Sequence, residues 1–174
     1  DIGITYKMMN KDSLAMKMFN ESLELAKETK HRHSIANAYK YLGEISFKEK
    51  KYQSALTNYL KCYNTGCDEC PKIAFHQVLV DIGRVYLNRG DFNNALKYIG
   101  HSLTLADSSN AVYEKAVSLS ALADYYKINK NTGTAIKYYE DALMCAISSS
   151  SLSLKKEICF NLSLLYNDIN EFKK

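Results

Sequence analysis

Gly3, Gly43, Gly83 and Ala123 stand forty positions apart, and Ser163 falls on the next beat. Ala15, Ala55, Ala95 and Ala135 keep the same interval. A period of that length marks an array of repeated supersecondary units, not one closed core. No unit of such an array buries its apolar face alone, so neighbours must stack, and binding falls to the surface the stack creates. The repeat constrains how the chain binds a partner. It leaves the partner's identity open.

Composition supports helices throughout. Of 174 residues 47% are hydrophobic, and 14 tyrosines with no tryptophan supply bulk for contacts between units. The chain has a single proline, and proline inside a helix costs ~3 kcal/mol. No run approaches the ~20 apolar residues that cross a bilayer, and no signal peptide opens the sequence. The net charge of +4 is mild, and lysines mix with acids along the chain. That pattern is a solvated surface, so neither a nucleic-acid nor a membrane partner is expected. The cysteines are Cys62, Cys67, Cys70, Cys145 and Cys159. An odd number without a secretory signal points to free thiols in a reducing compartment and a cytoplasmic location; a signal upstream of Asp1 would change that.

One unit shows why the small residues recur. From Ala36, the positions Tyr39, Leu42, Gly43, Ile45 and Phe47 follow helical spacing until the polar run Lys48 to Lys51. Tyr52, Ala55, Leu56, Tyr59, Cys62 and Tyr63 mark a second amphipathic helix. Gly43 and Ala55 let the two helices approach closely while tyrosines fill the space around them. Gly90-Asp91 occupies the equivalent turn of the next unit, where glycine takes the positive φ that ends a helix. The breaks between units are read at 30–34, 65–71, 107–110 and 148–151, each short and rich in turn or capping residues. Pro71 suits a first helical turn.

These residues resemble the tetratricopeptide repeat, whose pattern is a large residue, Leu-Gly, Tyr, then Ala, Phe and Ala at fixed offsets. Leu42-Gly43 with Ala55, Tyr59 and Cys62 fits it, as do Ile82-Gly83, Tyr86, Gly90, Phe92, Ala95, Ile99 and Ser102. Leu119, Leu122-Ala123, Tyr126, Ala135, Tyr139 and Ala142 fit again. Ile2-Gly3, Tyr6, Ala15, Phe19 and Ser22 supply most of a first unit, and Leu162-Ser163, Tyr166 and Phe172 begin a fifth. The resemblance implies one all-α, right-handed superhelical solenoid of antiparallel helix pairs over 1–174. Its units are 1–35 (partial), 36–75, 76–115, 116–155 and 156–174 (partial). The common repeat has thirty-four residues and this one has forty, which resembles the long-helix variant found in spindle-orientation adaptors and bacterial peptide receptors.

In that family the first helix of each unit lines the concave surface. Carried over by position, the second unit contributes Asn37, Lys40, Tyr41, Glu44, Phe47 and Lys48. The third gives Gln77, Val80, Asp81, Arg84, Leu87 and Asn88, and the fourth Val117, Ser120, Ala121, Asp124, Lys127 and Ile128. The fifth adds Glu157, Phe160, Asn161, Leu164, Asn167 and Asp168. The strongest candidates are Asn37, Lys40, Tyr41, Glu44, Phe47, Gln77, Asp81, Arg84, Asn88, Ser120, Asp124, Lys127, Phe160 and Asn161. Aromatics, amides and both signs of charge suit an extended or helical peptide, and Tyr41, Phe47, Leu87, Phe160 and Leu164 are expected to be exposed apolar groups. Chaperone-binding members hold a terminal carboxylate with a lysine and an asparagine one turn apart. Lys40 keeps the lysine, but Glu44 replaces the asparagine and Asp81 stands where another donor is needed, so a chaperone tail is not the expected ligand.

Cys67 and Cys70, with Cys62 and His76, have the number and part of the spacing of a zinc site. Cys62, however, holds the small core position of Ser22, Ser102 and Ala142, and no second paired-cysteine motif exists. Structural, metal-free thiols are expected, and no cofactor. His31 and His33 lie in a turn between Lys30 and Arg32, where exposure is the default. No carboxylate pair, nucleophile with base or phosphate loop appears locally, so catalysis is not expected.

The function implied is a protein- or peptide-binding scaffold, one segment of a larger signalling or assembly protein. The alternative is the ligand-sensing half of a bacterial regulator whose output domain lies outside this chain. Asp1 falls within a first helix and Lys174 near the start of a second, with no polar capping helix at either end. We therefore expect a piece of a longer array that leaves Ile2, Tyr6 and Phe19 uncovered at one end and Leu162, Leu165, Tyr166 and Phe172 at the other. End-to-end self-association would cover them.

Overall fold

The computed structural model describes residues 2–65 and 72–171, with the side chains of 72–74 and 169–171 left aside. Cys67, Cys70, Pro71 and Phe172 lie outside the described residues. The described chain is all helix: α1 (Ile2–Met8), α2 (Asp12–Glu28), α3 (Arg32–Lys48), α4 (Tyr52–Thr65), α5 (Lys72–Asn88), α6 (Phe92–Ser108), α7 (Val112–Ile128), α8 (Thr132–Ser148) and α9 (Leu152–Glu171). From α3 onward each helix begins twenty residues after the previous one. Consecutive helices pack side by side, and α5 also packs against α7.

One turn design makes that spacing. The middle residue of each described three-residue turn has positive φ: Asn10, Lys30, Lys50, Asn110, Lys130 and Ser150 at 51–59°, and Gly90 at 76°. The residue after it donates its amide to the carbonyl five positions back, as in His31 to Ala26, Lys51 to Ser46 and Ser151 to Ala146, at 2.9–3.1 Å. The middle amide reaches three back, as in Lys50 to Phe47 at 2.9 Å. These are the two bonds of a Schellman motif, which satisfies the last carbonyls of a helix. The third residue is at once the N-cap of the next helix. The side chains of His31, Asp91 and Asn131 accept from the amides of Ser34, Asn94 and Thr134.

The breaks are therefore tighter than polar composition suggests. Arg32, His33 and Ser34 already belong to α3, Asp107 and Ser108 to α6, and Ser148 to α8. A polar residue on the outer face of a terminal turn looks like a loop in sequence, but the hydrogen bonds make it helix. At the other end α9 runs on to Glu171, through positions where a turn was expected before a second helix.

Close approach at the small residues sets the pairing. A Cβ on Gly3 would lie 2.7 Å from Phe19 Cε1, one on Gly43 2.7 Å from the Tyr59 ring, and one on Gly83 2.5 Å from Ile99 Cγ1. Phe19, Tyr59, Ile99 and Tyr139 recur at forty residues and are all buried. Each large side chain thus fills the notch left by the small residue sixteen positions before it. Ala15, Ala55, Ala95 and Ala135, each wholly buried, keep the rest of the crossing narrow.

The ends are better covered than expected. Phe19 is buried against Gly3 and stacked on Tyr41 with centroids 4.9 Å apart. Leu162 and Leu165 turn into the cluster built on α7 and α8, and Tyr6 is half-buried. Ile2 and Tyr166 are exposed, as the sequence suggested. Ser22 departs from its counterparts Cys62, Ser102 and Ala142 and is exposed, since α1 is short.

Candidate functional site on the first-helix face

Helical spacing of three and four brings the polar groups of α3, α5 and α7 to one face. On α3, Lys40, Glu44 and Phe47 share a stripe, and on α5, Gln77, Asp81 and Arg84 do. Two clefts open between these stripes. One, of ≈160 Å³, is walled by Glu44 and Phe47 of α3, Tyr59 of α4, and Asp81 and Arg84 of α5. The other, of ≈220 Å³, spans three first helices: Lys40 of α3, His76, Gln77 and Val80 of α5, and Tyr113, Glu114 and Val117 of α7.

The charges are arranged in relay. Glu44 pairs with Lys7 of α1 and, at 3.8 Å, with Lys40. Both ammonium groups lie over the Tyr41 ring, at 5.1 and 5.5 Å from its centroid. Burial pushes the Asp81 carboxyl up to about 6, although Arg84 and a 2.9 Å hydrogen bond donated by Gln77 Nε2 work the other way. The Tyr59 hydroxyl is pushed well above its ordinary value by burial, reinforced by the charges of Asp81 and Glu44. Arg84 forms no ion pair among the described residues. On α7, Asp124 accepts from the Tyr139 hydroxyl at 2.5 Å and lies 3.8 Å from Lys127, which reaches Asn161 Oδ1 at 3.5 Å.

The expected face is thus partly assembled and partly redistributed. Lys40, Glu44, Phe47, Gln77, Asp81 and Arg84 come together around the two clefts. Asp124, Lys127 and Asn161 form a separate polar run toward α9. Asn37 is tied to its own helix through His33 Nε2 at 2.9 Å. Asn88 accepts from the Tyr52 hydroxyl at 3.2 Å and so bridges to α4. Phe160 and Leu164 are exposed, whereas Tyr41 and Phe47 are half-buried against Phe19 and Tyr52.

Ser120 is a correction. It is fully buried, and its Oγ has no hydrogen-bond partner among the described residues, so it presents nothing to a ligand. Leu87, expected as an exposed apolar group, is buried too, as are Val80, Val117 and Ala121. The cause is the direct packing of α5 on α7, which spends these positions on the core.

Sequence reasoning missed Tyr59, Tyr113 and Glu114 as wall residues and treated His76 only as a metal candidate. The 0% exposure of Tyr139 would not have marked it as a partner of Asp124 either. The overlooked signal was phase: with Ala111 as N-cap of α7, Tyr113 and Glu114 fall in its first turn and face α5. As for metals, no cluster of three or more His, Cys, Asp or Glu exists among the described residues. Cys62 is buried, and burial pushes its thiol up to about 11. No described helix is long and apolar enough to cross a membrane.

Residues 75–146 match the tetratricopeptide repeat family. No curated protein matches the chain in sequence. Among solved structures, BtubC from P. vanneervenii is similar with a TM-score of 0.71 and 15% identity, over 88% of this chain and 65% of that one. A signal transduction ATPase with numerous domains from Pyrococcus horikoshii, described as having a tetratricopeptide repeat sensor, is similar with a TM-score of 0.79 and 17% identity. That likeness covers 95% of this chain and 26% of the ATPase, so the chain spans about a quarter of that protein. At such identities the likeness is one of fold. The tetratricopeptide repeat is thus matched over 75–146, and helices of similar length and the same spacing continue on either side of that segment.

Proposed function

We propose that this array is a protein-interaction module that holds a peptide segment of its partner along the face of α3, α5, α7 and α9. The observation that carries the reading is the pair of clefts shared between helices of successive repeats. Their walls are charged and aromatic, and part of their hydrogen-bonding capacity, Arg84 above all, is unused within the described residues. A half-buried guanidinium loses most from having no partner, so a segment that supplies one gains both affinity and register. Phe160 and Leu164 add apolar anchors further along the same helix series. The role is binding, not catalysis. The exposed thiol of Cys159 fits a reducing, cytoplasmic setting.

The second reading, a ligand sensor within a larger regulator, is favoured by one observation: the array in the Pyrococcus ATPase is named as a sensor. Both readings place the ligand on the same face.

The test is selection of binding peptides from a random library, followed by affinity measurements on charge-reversal variants. Lys40→Glu, Arg84→Glu and Asp124→Lys should each weaken the selected peptides by about tenfold or more, the scale of a lost charge-assisted contact. Lys61→Glu and Lys97→Glu, on the second helices α4 and α6, should change affinity less than about threefold. Equal losses from both sets would remove the case for this face.

A further inference from the structure

Resting on that reading, we propose that the cleft between α3, α5 and α7 takes a primary ammonium carried on an apolar stem. A lysine side chain and a free amino terminus of the partner both present that group. The assignment follows from which atoms of the cleft are already engaged.

His76 is buried, and its Nδ1 lies 3.2 Å from the carbonyl oxygen of Ser102 on α6. A carbonyl only accepts, so Nδ1 carries the proton and Nε2 of the neutral ring is an acceptor. Nε2 has no partner among the described residues. The two ring nitrogens diverge, so anchoring one on α6 turns the other away from α6, and no α6 residue lines the cleft. Gln77 gives one N–H of its Nε2 to Asp81, which leaves its amide oxygen as a further acceptor beside the second N–H. The Glu114 carboxylate forms no ion pair or hydrogen bond among the described residues. Lys40, the cation of the cleft wall, is directed to Glu44 and the Tyr41 ring.

The cleft therefore offers three acceptors, one of them charged, beside the apolar side chains of Val80 and Val117. An ammonium supplies three donors and no acceptor, enough to serve all three of these acceptors at once. A carboxylate or phosphate would bring a second negative charge against the unpaired Glu114, while Lys40, the cation of the wall, already lies beside Glu44. A neutral hydroxyl could satisfy one of them and would leave the Glu114 charge unused. Taking an ammonium out of water is costly unless it is paired, and Glu114 is the pair.

The experiment uses the full chain with its histidines labelled with nitrogen-15, titrated with n-butylammonium, glycinamide or p-cresol at neutral pH. Saturable movement of the His76 Nε2 resonance by one of the amines, in the millimolar range, is expected, with p-cresol without effect. A stronger response to n-butylammonium assigns the lysine side chain, and a stronger one to glycinamide the amino terminus. Glu114→Gln, at a half-exposed position that makes no described contact, should weaken the amine by about tenfold or more. No movement at His76, equal binding of p-cresol, or amine binding unchanged in Glu114→Gln would overturn the proposal. Should that happen while Arg84→Glu still weakens the selected peptides, the ammonium site falls and the interaction face stands; if both effects are missing, both readings fall.

Discussion

Adding one methyl group at Gly83 probes the crossing on which the whole array depends. The new Cβ would lie 2.5 Å from Ile99 Cγ1, 3.2 Å from its Cδ1 and 3.3 Å from the carbonyl oxygen of Ala95. Ile99 is wholly buried and cannot swing into solvent, and the Ala95 carbonyl is backbone of α6. Overpacking of a filled core costs ~1–3 kcal/mol, while alanine in place of a mid-helix glycine returns ~1 kcal/mol of propensity. With backbone closing one side, Gly83→Ala should lose about 1–2 kcal/mol on balance. At a urea slope of ~2 kcal/mol/M this lowers the midpoint by roughly 0.5–1 M, read by circular dichroism. Gly100, in α6, is the control, since a Cβ there would meet no atom within 4 Å; Gly100→Ala should stabilise by up to ~1 kcal/mol. The decisive comparison is in an Ile99→Ala background, which removes the two nearest atoms and leaves only the Ala95 carbonyl oxygen at 3.3 Å. There Gly83→Ala should change sign and stabilise. A Gly83→Ala protein as stable as the parent, or a penalty that persists without the Ile99 side chain, would refute the notch-and-plug account.

Three further outcomes follow from the same structure. Because burial raises the folded Asp81 carboxyl to about 6, its contribution is present at low pH and is lost as pH rises from the usual carboxylate range through 6. Asp81→Asn should therefore gain stability relative to the parent, by up to ~3 kcal/mol, across that window, and parallel pH–stability curves would contradict the burial argument. Lys50 holds φ 59°, so Lys50→Gly should raise the urea midpoint by the equivalent of ~1 kcal/mol; a loss would mean the lysine side chain stabilises that turn. Iodoacetamide followed by peptide mapping should modify exposed Cys159 in the native protein and reach Cys62, buried with its thiol pushed up to about 11, only after unfolding. Early labelling of Cys62 would show that the α4–α5 packing opens readily.

The architecture was legible where sterics force a residue type. Glycine alone leaves room for Phe19, Tyr59 and Ile99, and the small Ala123 stands opposite Tyr139, so the beat of forty survives in the sequence as a visible pattern. The turns were harder. Glycine announces positive φ at Gly90, but Lys30, Lys50 and Lys130 adopt the same conformation because the Schellman bonds impose it, and lysine carries no such signature. Placing the first helices a few residues late left the opening turn of α7 out of consideration, and Tyr113 and Glu114 with it. Ser120 and Leu87 were misplaced for another reason. Which face of a first helix meets its neighbour depends on how closely successive repeats stack, and the approach of α5 to α7 is a property of the array that no single repeat encodes. The polar positions Lys40, Glu44, Gln77, Asp81 and Arg84 lie around the two clefts because side chains at i, i+3 and i+4 share one face of a helix, a spacing the sequence displays.

The central claim is that a partner lies along the first helices, and amide hydrogen exchange with and without a selected peptide tests it most directly. Slowed exchange concentrated in α3, α5 and α7, around Lys40 to Glu44, Gln77 to Arg84 and Tyr113 to Val117, with α4, α6 and α8 unchanged on their outer faces, is the predicted result. Protection confined to α4, α6 and α8, or spread evenly over the array, would contradict it.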